Sequence, residues 1–353
     1  MRVLHVLLAA VVALLLLAPL PARALVVACV ADEIALQDAL DAASDNGVHQ
    51  GDDMEIRLVT GSYITGIAHL NQEFLLMSSH ANAVSVLGGY AAGCQTRSAN
   101  PGLTVLDGGN FTPVFTVIKH LGAFTIEGLT IQRGHGAFLG GGLGINGGAH
   151  CTGTCYEADV RVSRVVFQGN HTDFYCGGLY AGAAAHQVRV ESSLFVNNDA
   201  SLNDGGVCLY GTGNLQFFGN TVADNSTQAT ADVTGGLYCS GTASCQIYNN
   251  VLWSNTGAGL WLNTTSGFLA HNDFGNRGGD APVSEIASTH LNPHFVNAPV
   301  GNYRLAGDSP LLAISPLVLT STDLFDRPHP SSGGRDVGAY AETIFADGAE
   351  IVN

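Results

Sequence analysis

"TGGLYCSGTASCQIYNNVLWSNTG", residues 234–257, sets glycines before Leu-Tyr, spaces apolar residues two apart, and ends among asparagines. The pattern is repeated along the chain. A glycine-rich stretch followed by leucine occurs as "GGGLGI" at Leu143, "CGGLYA" at Leu179, "GVCLYG" at Leu209, "GGLYCS" at Leu237 and "GAGLWL" at Leu260. A second phrase follows four of them: "VRVSRVVFQGN" (160–170), "VRVESSLFVNN" (188–198), "LQFFGNTVADN" (215–225) and "CQIYNNVLWSN" (245–255). Looser copies stand at 124–134 and 268–276.

Inside the second phrase, Val160 and Val162, Val188 and Val190, Leu215 and Phe217, and Cys245 and Ile247 alternate with polar residues. That is strand periodicity with one face buried. Phe167, Phe195, Val222 and Leu252 come next, followed by Asn170, Asn198, Asn225 and Asn255. A strand, a turn, a second strand and an Asn turn make one coil of a parallel β-solenoid. Asparagine tolerates left-handed backbone and bonds neighbouring amides, so stacked coils should build an amide ladder. Helical solenoids would need helix-period stripes, which these phrases lack.

The ends read differently. "ADEIALQDALDAASDNG" (31–47) places Leu36, Ala39, Leu40 and Ala43 on one helical face, as expected of a cap over an open strand edge. After Leu291 the repeat stops, which predicts an irregular C-terminal cap. The division is then 25–53 as N-terminal cap, 54–290 as solenoid and 291–353 as C-terminal cap.

At the N-terminus, Arg2 precedes an apolar run from Val3 to Ala18, and Ala22-Arg23-Ala24 fits a signal-peptide cleavage site, so residues 1–24 read as an export leader. The run is too short for a membrane span. Val26-Val27-Ala28-Cys29 loosely resembles a lipoprotein acylation box, the alternative form of processing. Export agrees with an even count of cysteines, at 29, 94, 151, 155, 176, 208, 239 and 245. Cys151–Cys155 and Cys239–Cys245 read as local bridges. Cys29–Cys94 would tie the N-terminal cap to the first coils, leaving Cys176 for Cys208. No zinc spacing is present among them.

Acids outnumber bases 29 to 13, with a net charge of −16 and a single lysine, Lys119. Such a chain lacks the basic stripe that nucleic acid requires. It is equally unsuited to an anionic membrane surface.

The phrases "LQDALDAASDNG", "VLGGY" (86–90), "TVLDGG" (104–109), the Gly-Gly-Leu coils, "NPHFVNAPVGNYRLAGDSP" (292–310) and "DVGAYAE" (336–342) together resemble exported bacterial right-handed parallel β-helix proteins. The resemblance is to the choice-of-anchor type within the pectate-lyase-like superfamily. The coils also resemble repeats of chlamydial polymorphic outer membrane proteins. It implies an all-β, single right-handed parallel β-helix, exported and with no fixed chemistry, because such scaffolds serve lyases, hydrolases, epimerases and adhesins.

The catalytic candidates are few. "RGHG" around His135 is similar to the Gly-His-Gly of polygalacturonases, whose paired carboxylates are missing here; "NHTD" (170–173) is the nearest echo of their Asn-Thr-Asp. Arg161 and Arg189 share a register in successive coils and would suit a uronate carboxylate, unless Glu191 pairs with them. Asp199, Asn203 and Asp204 offer a calcium site on a loop; no other metal or cofactor is expected. Placing the five leucines in one register would turn Gly144, Tyr180, Tyr210, Tyr238 and Trp261 outward. Tyr180, Tyr210, Tyr238 and Trp261 would then stack as an aromatic stripe for sugar rings. The reading is a monomeric, exported β-helix that binds a polysaccharide or cell-surface glycan without catalysis. The alternative is a lyase or hydrolase acting on a uronate polymer.

Overall fold

Alternating apolar residues build three buried ladders, one per face of a coil. The computed structural model describes residues 23–66, 72–146, 157–183, 186–230, 233–279, 283–329 and 333–342. On the first face Phe74, Phe115, Leu143, Leu179, Val207, Leu237 and Leu260 lie in register. On the second, Ala28, Ile56, Val86, Ile126, Val162, Val190, Phe217, Ile247 and Leu269 do the same. On the third the order is Tyr63, Leu106, Ile131, Phe167, Phe195, Val222, Leu252 and Phe274. Every one of these pairings is parallel, and the strands join into one sheet of 22. The expected parallel β-helix is the fold.

The ladders meet in one core, with Phe167 and Phe195 stacked at 4.6 Å. Each fully buried Leu, Val or Phe contributes about 1.5–3 kcal/mol, so the stack of like residues is the main source of stability. Corners between faces are polar and equally ordered. Asn170, Asn198, Asn225 and Asn255 form the expected ladder: each of the first three donates its backbone N–H and its side-chain amide to the next Oδ1 at 2.9–3.1 Å. A second ladder, which the sequence reading did not separate, runs from Ser193 through Asn220 and Asn250 to Asn272 at the opposite end of the same strands.

Register on the first face is set by glycine pairs rather than by leucine. A Cβ on Gly178 would stand 2.6 Å from the Gly206 carbonyl, and one on Gly206 would stand 2.7 Å from that of Gly236. Only glycine permits this approach. The pair Gly205-Gly206 therefore puts Val207, not Leu209, opposite Leu179 and Leu237, while Leu209 lies opposite Ala181 and Cys239. The expectation that Leu209 shares the register of the other leucines is corrected by two residues.

Helix α1, Glu33–Ala43, buries Leu36, Ala39, Leu40 and Ala43 as its pattern predicts, and Asp32 caps it by accepting from the Ala35 amide at 2.8 Å. It also closes a strand edge. The Gln37 side chain donates to the Leu75 carbonyl and accepts from the Leu75 amide, both at 3.0 Å. The C-terminal segment is irregular as expected, with one antiparallel pair, Phe295–Asn297 against Asn302–Leu305. It runs along the outside of the third face: Tyr303, Leu324 and Tyr340 pack on Leu194, Val196 and Ala223, and Leu305, Leu311 and Val337 pack on Val251. The leader lies almost wholly outside the described residues, and Cys151 and Cys155 lie entirely outside them.

Candidate metal centre

Just past the Asn ladder the chain makes a small fourth sheet, with His135–Gly136, His171–Thr172, Asp199–Ala200 and Ser226–Thr227 stacked in parallel. Gly136, Thr172, Ala200 and Thr227 point inward and are buried. Strand alternation then turns His135, His171, Asp199 and Ser226 outward. The ladder fixes their heights, because Asn170 Oδ1 accepts from the Gly134 amide at 2.9 Å and the Asn170 carbonyl accepts from the Asp199 amide at 2.8 Å.

Three ligand-type side chains converge there. His135 Nε2 lies 3.2 Å and His171 Nε2 3.4 Å from Asp173 Oδ1, and the two rings meet edge to face at 4.8 Å. One ligand atom from each of His135, His171 and Asp173 falls within 4.8 Å of the others. His171 Nδ1 stands 2.7 Å from Asp199 Oδ2. Nδ1 donating to Asp199 fixes the ring with Nε2 toward Asp173 and His135, the orientation that a carboxylate gives a ligating imidazole; an entering ion would take the place of any Nε2 proton shared with Asp173. The hydrogen bond from His135, opposed by slight desolvation and aided by His171, holds the Asp173 carboxyl below its ordinary range. All three side chains reach solvent, so an ion has a way in.

In the sequence "RGHG" marks His135, and "NHTD" is only a distant echo of a catalytic motif. The structure brings the two together. His171 and Asp173 were missed as partners because 36 residues separate His135 from His171; the usable signal was that each histidine follows a ladder residue, Gly134 or Asn170.

The other candidates fall elsewhere. Arg161 and Arg189 do share a register, as expected. Both are engaged: Arg161 bonds Glu191 and Glu127, and Arg189 bonds Glu191 at 2.6 Å. Burial raises Glu127, but Arg164, Arg97 and Arg161 outweigh it and hold the carboxyl low. These guanidiniums serve the scaffold's own acids. Of the calcium candidates, Asp199 is taken by His171, whereas Asn203 and Asp204 sit at another corner beside Cys176.

The expected aromatic stack is also interrupted. Tyr180, Cys208, Tyr238 and Trp261 form the actual column, and Tyr210 stands two residues along, between Gly182 and Ser240. All four aromatics still face outward, with Tyr210 the most exposed at 52%. Gly278 sits directly against the Trp261 ring, where a Cβ would come within 2.3 Å of it. Cys29–Cys94, Cys176–Cys208 and Cys239–Cys245 are disulfides, as expected. No helix among the described residues is long and apolar enough to cross a membrane.

Residues 125–306, just over half of the chain, match the family described as periplasmic copper-binding protein (NosD). The chain belongs to this family. Its periplasmic description agrees with the export expected from the leader, and the matched span contains the whole His135–His171–Asp173 cluster. No curated protein matches the chain.

Proposed function

We propose that this protein is a periplasmic metal-binding β-helix that holds a copper(II)-type ion at His135, His171 and Asp173. The observation that carries the reading is the convergence of two imidazoles and one carboxylate, with Asp199 orienting His171. Two nitrogens and an oxygen suit copper(II), nickel or zinc, and copper binds such sets most strongly among the divalent first-row ions. The residues fit the ion that the family's description names. A bound ion would supply positive charge at an exposed corner; the chain's own part is to hold the donors at coil spacing on a rigid ladder.

Calorimetric titration of the mature protein with copper(II) tests this. One equivalent should bind to the wild type. His135→Ala and His171→Ala should each weaken binding by at least about tenfold, and Asp199→Asn by roughly 10- to 100-fold, the usual effect of losing a residue that orients a ligand. Unchanged affinity in both histidine variants would refute the assignment.

A second reading, attachment to a polysaccharide or cell-surface glycan, is favoured by the outward placement of Tyr180, Tyr210, Tyr238 and Trp261. The resemblance to pectate-lyase-like proteins and to chlamydial surface repeats supports it. Replacing Tyr210 and Tyr238 with Ala should abolish glycan-array binding with little loss of melting temperature; the reverse outcome assigns these rings to the scaffold. Catalysis on uronate polymers gains no such support, since Arg161 and Arg189 are already paired.

A further inference from the structure

The corner carrying Cys176, Asn203, Asp204 and Cys208 holds two polar groups that the fold does not satisfy. Asp204 is 7% exposed, and burial alone pushes its carboxyl up to about 7, with no hydrogen bond or opposite charge to offset it. Beside it in sequence, the buried Asn203 Oδ1 has no hydrogen-bond partner among the described residues. A buried carboxyl without a partner is disfavoured in a medium that solvates charge poorly. Its near neighbours are sulfurs: Cys176 Sγ, Cys208 Sγ and an Asp204 oxygen lie within 4.8 Å of one another.

We infer that reduction of the Cys176–Cys208 bond turns this corner into a binding site for a thiophilic d10 cation, held by two thiolates and the Asp204 carboxylate. The Cα atoms of the two cysteines are 5.6 Å apart and both are anchored, Cys208 in a first-face strand and Cys176 by the hydrogen bond its backbone N–H donates to the Asn203 carbonyl. Opening the bond therefore leaves two sulfurs beside one acid, all within 4.8 Å of one another. A dithiol reductant supplies two electrons and two protons, closing to its own disulfide as Cys176 and Cys208 become thiols. The entering cation then displaces both thiol protons, and the proton of Asp204 where the carboxyl carries one, to solvent. Soft sulfur donors select such ions over those of the imidazole cluster. In the oxidised state the sulfurs offer no thiolate, so the site is gated by redox state.

Neither other described disulfide has this surrounding. Cys239 lies between Leu209 and Leu262, and Cys245 between Leu215 and Gly267, inside the apolar core. Cys94 Sγ faces the Arg57 carbonyl.

The test uses the mature chain carrying His135→Ala and His171→Ala, so that the imidazole cluster does not contribute. After anaerobic reduction with dithiothreitol and desalting, cadmium is titrated and the ultraviolet thiolate-to-cadmium charge-transfer band is read. The expected result is a band saturating at one equivalent, absent before reduction, lost in Cys176→Ser and retained in Cys239→Ala/Cys245→Ala. Asp204→Asn keeps both sulfurs and should weaken cadmium binding by at least about tenfold. A band that survives Cys176→Ser overturns the inference, as does a bond that stays closed until the chain unfolds. Should the serine variant not fold, unchanged affinity in Asp204→Asn overturns it equally.

Discussion

Replacing Asn198 with alanine removes the middle rung of the first asparagine ladder. In the native protein Asn198 Oδ1 accepts from the Asn170 backbone amide at 3.1 Å and from Asn170 Nδ2 at 2.9 Å. Its own Nδ2 donates to the Phe167 carbonyl at 3.0 Å and to Asn225 Oδ1 at 2.9 Å. After substitution Asn170 Nδ2 keeps the Ile131 carbonyl, and Asn225 Oδ1 keeps the backbone amide of residue 198. The buried Asn170 N–H is left without an acceptor, while the Phe167 carbonyl, within a strand paired with Leu194–Val196, loses only an additional donor. At about 1–3 kcal/mol for a buried group left unsatisfied, the loss should be about 1–3 kcal/mol. Exposed Ser226, next to the same corner, provides the control, and Ser226→Ala should stay within about 0.5 kcal/mol of wild type. Solenoids can open in pieces, so urea unfolding followed by circular dichroism should be joined by native-state hydrogen exchange at the Asn170 amide. An Asn198→Ala protein within about 0.5 kcal/mol of wild type, with that amide still protected, would refute the ladder as a source of stability.

Two acids should shape the pH profile in opposite directions. Glu127 is held low in the folded state by Arg164, Arg97 and Arg161 against its burial, so its contribution is present above the unfolded carboxylate value of about 4.3. That stability is lost as pH falls through the lower folded value; Glu127→Gln should flatten the acid limb and cost about 1.5–3 kcal/mol at neutral pH in urea melts. Asp204 in the oxidised protein behaves oppositely. Burial raises it to about 7, so the folded state binds the extra proton and stability falls as pH climbs from about 4 through 7. Asp204→Asn should remove that decline, and an unaltered slope would contradict the burial of an ionisable carboxyl there.

Much of the scaffold was legible because solenoid registers repeat in sequence. Val160, Val188, Leu215 and Cys245 are stacked as their spacing implied, and the helix buries the four residues its period marked. The error at Leu209 has a physical cause. Leucine and valine fill the same ladder position, while the diglycine ahead of them admits no other residue, so the glycines and not the leucine carry the register. That shift also broke the expected aromatic stack and placed Cys208 in the Tyr180 column. The candidate metal site was only half legible. His135 stood out by its motif, but its partners come from the next coil, and only the ladder that fixes coil height brings His171 and Asp173 beside it. Partnership across coils depends on loop lengths, which composition and motifs do not encode.

Electron paramagnetic resonance of the copper(II)-loaded protein tests the central claim most directly. The account predicts a single species with nitrogen hyperfine structure from two imidazoles, reduced to one in His135→Ala and in His171→Ala. A spectrum identical in wild type and both variants, or one showing only free copper, would contradict it.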